Sequence, residues 1–230
     1  MPALLISCEH AGRRIPPRYR APFAGHEALL RSHRGLDPGA LALARQMAAA
    51  FDAPLFYSTV SRLLVDLNRS LGHPHLYSPM TRGLPAAARR EILARYYLPY
   101  RERIEAHVTR VIESGQSLVH IASHSFTPVL DGAVRKADVG LLYDPARPRE
   151  VVLCRRWQRG IEARAPAWNV RRNYPYTGAS DGLTAYLRKR FGSEQYVGVE
   201  LEINQKHVFA RALAWRALRQ TVIEALGEAL

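Results

Sequence analysis

The chain has 230 residues, 47% of them hydrophobic, and we expect residues 1–230 to form a single domain around one sizeable core. Its net charge is +13, but 30 of the 33 basic residues are arginines, scattered as isolated doublets with no nucleic-acid motif beside them. This pattern favours a solvated basic surface and disfavours nucleic acid as a partner. No apolar run approaches the length of a membrane span or of a signal-peptide core, and there are only two cysteines. We therefore expect a soluble cytoplasmic protein that does not bind membranes.

Strand and helix patterns alternate along the chain. Asp37 before Pro38 is typical of a helix N-cap, and Pro99 should kink or split the long helix that contains it. Pro74, Pro79 and Gly83 predict a loop over 73–84. In chain order, the patterns predict strand 3–8, helix 38–51, strand 55–60 continuing or restarting over 63–66, helix 85–114, strands 118–122 and 139–143, helix 150–163, strand 168–171, helix 181–191, strand 196–203 and helix 206–226.

This alternation predicts a three-layer α/β fold, with a central, mostly parallel (mixed) sheet and helices on both faces. In such sheets ligands bind beyond the carboxyl ends of the strands. Polar residues follow several predicted strands at that edge: Glu9, His10, the segment 62–69 and His124, with Glu200 and Glu202 inside the last strand. Imidazoles, carboxylates and arginines together have the chemistry of a metal-assisted hydrolase. The sequence contains no nucleophile elbow, phosphate loop or Cys-x-x-Cys motif.

The segment 61–69 ends in Asp66, Asn68 and Arg69. An arginine beside an asparagine can hold a carboxylate, because the guanidinium fork matches two carboxylate oxygens and the amide adds a donor. An Asp–Arg pair that ties down a loop explains the local sequence equally well. The candidate ligands at neighbouring strand ends shift the balance towards a carboxylate grip.

Five motifs, in order along nearly the whole chain, resemble the N-formylglutamate amidohydrolase family. They are Glu9-His10-Ala11-Gly12 with Ile15-Pro16, Asp37, Ser61-Arg62 leading to Asp66-Leu67-Asn68-Arg69, Ser123-His124-Ser125, and Glu202-Ile203-Asn204-Gln205. The family is related to the zinc carboxypeptidases and to aspartoacylase-like hydrolases. The resemblance implies a zinc-exopeptidase-like (phosphorylase/hydrolase-like) fold.

The resemblance also implies a metal site. His10, Asp37 and His124 would bind the metal, zinc or another divalent ion, although Glu9 competes with Asp37 as the carboxylate ligand. Glu202 would be the catalytic base, with Glu200 as the alternative on the same strand face.

The resemblance to the family also implies which residues contact the substrate. Arg62 would stabilise the oxyanion, and Asn68, Arg69 and Asn173 would bind the substrate. Asp66 is expected to orient Arg62 or Arg69, and His120 to lie in the core.

The resemblance thus implies a metal-dependent amidohydrolase that cleaves N-formylglutamate or a related N-acyl amino acid, in amino-acid catabolism such as histidine degradation. Two alternatives stay open. One is a carboxypeptidase-like or deacylase activity on another carboxylate-bearing substrate. The other is a basic nucleic-acid-binding protein that keeps the fold with a degenerate site.

Overall fold

The computed structural model describes residues 2–230. Six strands form one sheet in the order β2-β1-β3-β8-β6-β7. The first four run parallel, and β6 and β7 run parallel to each other but antiparallel to β8. The strands are β1 (Ala3–Cys8), β2 (Leu55–Tyr57), β3 (Leu118–Phe126), β4 (Val129–Leu130), β5 (Ala133–Val134), β6 (Val139–Leu142), β7 (Val170–Arg172) and β8 (Tyr196–Asn204), of which β4 and β5 form a separate hairpin. The predicted α/β fold with a mixed, mostly parallel sheet is confirmed.

Helices cover both faces of this sheet. One apolar cluster packs α2, α6 and α9 against one face, and a second packs α4, α5, α7 and the segment 60–67 against the other. The helices are α1 (Glu27–Arg31), α2 (Ala40–Ala50), α3 (Pro79–Arg82), α4 (Ala86–Ile92), α5 (Leu98–Glu113), α6 (Pro148–Arg164), α7 (Leu183–Arg190), α8 (Gln205–Val208) and α9 (Ala212–Ala229), with 3-10 turns at Pro17–Tyr19 and Ala21–Phe23. Within residues 2–230, no helix is both long and apolar enough to cross a membrane.

Three local predictions need correction. The second part of the predicted strand, 63–66, is a turn. Leu63, Leu64 and Val65 are buried in the second apolar cluster without pairing in the sheet, and a short buried apolar run cannot be distinguished from a strand by its pattern. Asp37 is not the N-cap of α2, because Gly39, with φ of +80°, takes that position. This arrangement leaves the Asp37 side chain available for contacts elsewhere.

The third correction concerns β3, which extends four residues beyond its predicted end at Ala122. His124 therefore lies inside the strand and not after it. The long helix is interrupted as predicted, because a π-helical segment, Leu93–Tyr97, joins α4 to α5 just before Pro99. The predicted loop over 73–84 contains the short helix α3.

The sheet register determines which side chains share a face. β3 and β8 pair along nine residues, with His124 opposite Glu202 and Ala122 opposite Glu200. Because side chains alternate between faces, Glu200 and Glu202 lie on the face covered by the second apolar cluster, as His120 and His124 do. A polar column therefore runs along two central strands towards their carboxyl ends.

A buried ion pair joins three elements behind this column. Arg188 of α7 donates from Nε to both carboxylate oxygens of Glu150 of α6, at 2.9 and 3.1 Å. Its terminal nitrogens donate to the carbonyl oxygens of Gly178 and Gly198, at 2.6 and 2.7 Å. Glu150 accepts further bonds from the backbone of Asp144 and Gly198. All three nitrogens of Arg188 and both carboxylate oxygens of Glu150 are therefore engaged.

Replacing Arg188 with Met should destabilise the protein by about 3–5 kcal/mol, because Glu150 would keep a buried charge without its partner. Chemical denaturation followed by circular dichroism measures this change. Arg95→Met, which breaks an exposed pair with Glu91, is the matched control and should shift the midpoint little. Equal effects of the two substitutions would show that the buried pair has no special role.

Candidate functional site

A cavity of about 280 Å³ opens at the carboxyl ends of β1, β3 and β8. Its wall contains most of the residues that the sequence singles out. They are His10, Asp37, Arg62, Asn68, Arg69, His124, Glu200 and Glu202, together with His33, 125–127, Tyr176, Thr177, Ser180 and Asp181. The volume suits a small metabolite.

One carboxylate oxygen lies at the centre of this cavity. Oδ2 of Asp37 is 3.2 Å from Nδ1 of His10 and 2.9 Å from Nδ1 of His124. His10 follows β1, and its carbonyl oxygen accepts a bond from the backbone N–H of Asp37 at 3.0 Å, which fixes the loop that presents Asp37. All three side chains are buried, and their ligand atoms lie within 4.8 Å of one another. The three predicted ligands thus come together and can hold a metal ion.

Each histidine contacts a second carboxylate through its outer nitrogen. Nε2 of His10 is 2.7 Å from Oδ1 of Asp66, and Nε2 of His124 is 3.1 Å from Oε2 of Glu9. Such outer carboxylates are typical of metal-binding histidines, since they hold the proton on Nε2 and leave the Nδ1 lone pair free.

This arrangement provides a test of whether a cation fits. If Nε2 carries the only proton on each ring, two Nδ1 lone pairs and the Asp37 carboxylate converge with no hydrogen between them. That convergence is repulsive unless both rings gain a second proton or a cation binds. The pKa of His124 is raised well above its usual value and that of His10 is also raised, because the neighbouring carboxylates outweigh the effect of burial. The site therefore attracts positive charge, and a divalent ion fits its donor set.

Glu9 does not compete with Asp37 for the inner position. Its Oε1 accepts a bond from the hydroxyl of Tyr100 at 2.8 Å, and its other oxygen faces His124. Burial alone would raise its pKa, but the nearby His124 holds the pKa at about 2. Glu9 is therefore a buried anion behind His124. The sequence places Glu9 next to His10 and gives no sign of this role, because its partners Tyr100 and His124 are distant along the chain.

Arg62 ties the outer and inner carboxylates together. It donates to Oδ2 of Asp66 from Nε and a terminal nitrogen, at 3.2 and 2.8 Å, and its other terminal nitrogen is 3.4 Å from Oδ1 of Asp37. Burial opposes ionisation of Asp66, but Arg62 and His10 lower its pKa well below the usual value. The expectation that Asp66 orients Arg62 agrees with this geometry. Its contact with His10 had no signal in the sequence, because the two residues are 56 positions apart.

Glu202 has a different environment from the other acids. It is buried, its Oε2 has no hydrogen-bond partner within residues 2–230, and it lines the cavity. Burial is the main cause that raises its pKa to about 8, and the charges of Asp37 and Glu200 add to the increase while His124 opposes it. A carboxyl group in this state can accept and release a proton near neutral pH.

The predicted substrate residues divide into two groups. Asn68 and Arg69 line the cavity, where Asn68 accepts a bond from the backbone N–H of Leu183 and Arg69 donates to the carbonyl oxygen of Asp181. Asn173 does not line it. The backbone of Asn173 has a φ of +51°. Its side-chain oxygen accepts hydrogen bonds from the backbone N–H groups of Tyr143 and Gly178, at 3.0 Å each. Asn173 thus braces the loop that carries the cavity residues 176–180.

His120 lies in the core, as expected. Its ring nitrogens are each 2.7 Å from a hydroxyl, those of Ser7 and Tyr196. Burial is the main cause that lowers its pKa to about 4, so the ring is neutral at neutral pH.

Comparisons with known proteins agree with this fold. The chain aligns with gene product Atu2144 from Agrobacterium tumefaciens at 31% identity and a TM-score of 0.84, over 99% of this chain and 90% of the other. It also aligns with the N-formylglutamate amidohydrolase from Ralstonia eutropha JMP134 at 21% identity and a TM-score of 0.72, over 98% and 92% of the two chains. No curated protein matches the chain. The profile of the N-formylglutamate amidohydrolase family matches residues 2–209. Because this match covers nearly the whole chain, the chain belongs to the N-formylglutamate amidohydrolase family.

Proposed function

We propose that the protein is a metal-dependent hydrolase that cleaves the amide bond of N-formylglutamate or a related N-acyl amino acid. The observation that carries this proposal is the buried cluster of His10, Asp37 and His124 in one cavity with the unpartnered carboxyl group of Glu202. Membership of the family supports the reaction class. The two buried free cysteines suit the cytoplasm, where we propose that the enzyme acts.

The metal ligands in this proposal are His10, Asp37 and His124. Two imidazoles and one carboxylate are a common donor set for catalytic zinc, because three protein ligands leave a position open. A divalent ion held there would lower the pKa of a bound water towards about 7 and polarise the acyl oxygen. Asp66 and Glu9 orient the two imidazoles from behind.

Glu202 is the proton carrier in this mechanism. Its free Oε2 can accept a proton from the attacking water as that water adds to the acyl carbon. When the amide C–N bond breaks, Glu202 returns the proton to the departing nitrogen, which leaves as an amine. Its raised pKa makes both transfers feasible near neutral pH.

Arginines position the substrate and its developing charge. Each terminal nitrogen of Arg62 has a second N–H beyond those that face Asp37 and Asp66, and these can donate to the oxyanion. Arg69 and the amide nitrogen of Asn68 bind the substrate carboxylate, which holds the scissile amide near Glu202. Asn173 acts on the substrate only through the loop it braces.

The protein should bind one zinc ion per chain, and Asp66→Asn should weaken that binding about 10–100-fold, because His10 loses the carboxylate that orients it. Competition with a chromogenic chelator measures the affinity. Asp181→Asn is the matched control, since Asp181 lines the same cavity but accepts its bond from the backbone of Ser70. Unchanged affinity in Asp66→Asn would contradict the ligand assignment.

Zinc affinity should rise with pH through the neutral range. The raised pKa values of His10 and His124 mean that the metal-free site holds protons there, and these protons must leave when zinc binds. Titration calorimetry in buffers of different ionisation enthalpy counts the protons released. An affinity independent of pH, with no protons released, would contradict this coupling.

Glu202→Gln should lower kcat about 10²–10⁴-fold and leave the zinc content unchanged, because it removes the proton carrier but no metal ligand. Amine release from N-formyl, N-acetyl and N-succinyl amino acids and from short peptides is the assay, and it also distinguishes an amidohydrolase from a carboxypeptidase-like enzyme. Full activity in this variant would transfer the role of base to Glu200 or eliminate the mechanism. If the zinc-loaded wild type hydrolyses none of these compounds, the proposed function is wrong.

A further inference from the structure

The cavity has one arginine that is free to bind a substrate carboxylate. Arg62 faces Asp66 and Asp37, so much of its charge is already balanced. Arg69 donates to a backbone carbonyl, that of Asp181, and no carboxylate among residues 2–230 lies within 4.0 Å of its guanidinium. His33 also lines the cavity, but burial and the neighbouring Arg34 lower its pKa, which keeps it neutral.

The same wall contains an acidic side chain with no cationic partner. Glu200 is half-buried on β8, two residues before Glu202 and on the same face of the sheet. Its Oε1 accepts a bond from the hydroxyl of Thr184 at 3.0 Å, and no arginine, lysine or histidine of the described chain forms an ion pair with it. Its second oxygen accepts no hydrogen bond from residues 2–230. Glu200 therefore has acceptor capacity directed at the cavity that it lines.

Glu200 and the free arginine line the same cavity, and Glu200 meets the residue that precedes the arginine. A Cβ atom at Gly182 would lie 2.8 Å from Oε1 of Glu200 and 3.2 Å from Oδ1 of Asn68, the residue before Arg69. The side chains of Glu200 and Asn68 therefore converge on one point, next to the backbone from which Arg69 extends. Glycine at position 182 keeps the carboxylate clear, because any larger residue would press against it.

Glu202, on the same strand face, has a separate role. In the proposed reaction its Oε2, which has no partner in residues 2–230, exchanges protons with the water and the departing amine. Glu200 is therefore the acidic side chain of this face that is left to contact a substrate cation. A substrate with two carboxylates would find one free arginine in this cavity, and its second carboxylate would share the cavity with the like charge of Glu200, which is unfavourable.

Building on the proposed function, we infer that the preferred substrate is an N-acyl amino acid that carries one carboxylate and one cationic group. The carboxylate binds Arg69 and the cation faces Glu200. Two kinds of compound have this chemistry. In Nα-acyl lysine or arginine the side chain is the cation, and in Nε-acyl lysine the free α-ammonium is the cation. Either is hydrolysed by addition of water across the amide C–N bond, which yields the acyl acid and the free amine.

Hydrolysis of four formylated amino acids tests this inference with the zinc-loaded enzyme. They are Nα-formyllysine, Nε-formyllysine, Nα-formylnorleucine as the uncharged counterpart, and Nα-formylglutamate as the dianion. One of the two lysine compounds should exceed Nα-formylglutamate in kcat/KM by about tenfold or more, and which one does so identifies the position of the cation. A preference for Nα-formylglutamate over both lysine compounds would overturn the inference and leave the proposed hydrolase intact.

Glu200→Gln locates the selectivity. The ratio of kcat/KM for the better lysine compound to that for Nα-formylnorleucine should fall about tenfold, mainly through KM, because glutamine keeps the size and the bond to Thr184 but not the charge. Asp181→Asn removes a charge from the same cavity at a side chain held by the backbone, and it should change this ratio far less. An equal fall of this ratio in both variants would mean that selectivity depends on the total charge of the cavity and that Glu200 has no specific role.

A binding measurement separates the two proposals. Titration calorimetry of zinc-loaded Glu202→Gln with the same four compounds needs no turnover. Tighter binding of a lysine compound than of Nα-formylglutamate supports the inference even if the wild type proves inactive, which would remove only the proposed reaction. Tighter binding of Nα-formylglutamate overturns the inference whatever the activity.

Discussion

The structure depends on the sharing of one carboxylate oxygen, Oδ2 of Asp37, by two histidine rings. Asp37 is buried with three other acids of the same site, Glu9, Asp66 and Glu202. Each buried anion costs several kcal/mol unless a positive charge and hydrogen bonds compensate it. Arg62 alone cannot balance the carboxylates of Asp37, Glu9 and Asp66, so the histidines must hold extra protons or the site must hold a cation. The sharing at Asp37 makes these two options exclusive, since a proton on Nδ1 and a metal ion would occupy the same lone pair.

The fold supplies the rigidity that this charge balance requires. His124 is held in the longest pairing of the sheet, opposite Glu202, so the distance between these two residues is set by backbone hydrogen bonds. Asp37 is anchored to the carbonyl oxygen of His10 and precedes a helix that packs on the opposite face. The less regular walls of the cavity depend on side chains: Asn173 braces the loop before α7, and Arg188 holds the carbonyl oxygen of Gly178. In the cluster around Asp37, a strand thus holds His124 and a backbone hydrogen bond holds the loop residues His10 and Asp37, whereas the cavity wall at 176–181 is built on loops, which tolerate change more readily.

The sequence predicts the parts of this arrangement that depend on local pattern. Strand β1 and the central strands β3 and β8 are recognisable because their apolar residues are continuous or alternate, and the candidate ligands follow from their places near strand ends. The turn at 63–66 was mistaken for a strand because burial in a loop and burial in a sheet leave the same apolar run. Glu9 behind His124 and Asp66 behind His10 could not be predicted, because each pair forms only when segments more than 50 residues apart pack together. Local pattern identifies which residues carry chemistry, but long-range packing decides which nitrogen faces which oxygen.

The distribution of charge explains why a strongly basic protein can have an acidic site. Six of the 20 acidic side chains are buried, four of them at the site, whereas Arg101 and Arg188 are the only buried ones among the 33 basic residues. The positive charge of the chain therefore lies on the outer surface, which attracts anions over a distance of about 10 Å at moderate salt. Inside the cavity, contacts of 3–4 Å between buried groups dominate, so individual pairs outweigh the surface field. The surface can thus favour the approach of an anion, while the side chains of the cavity govern which groups bind there.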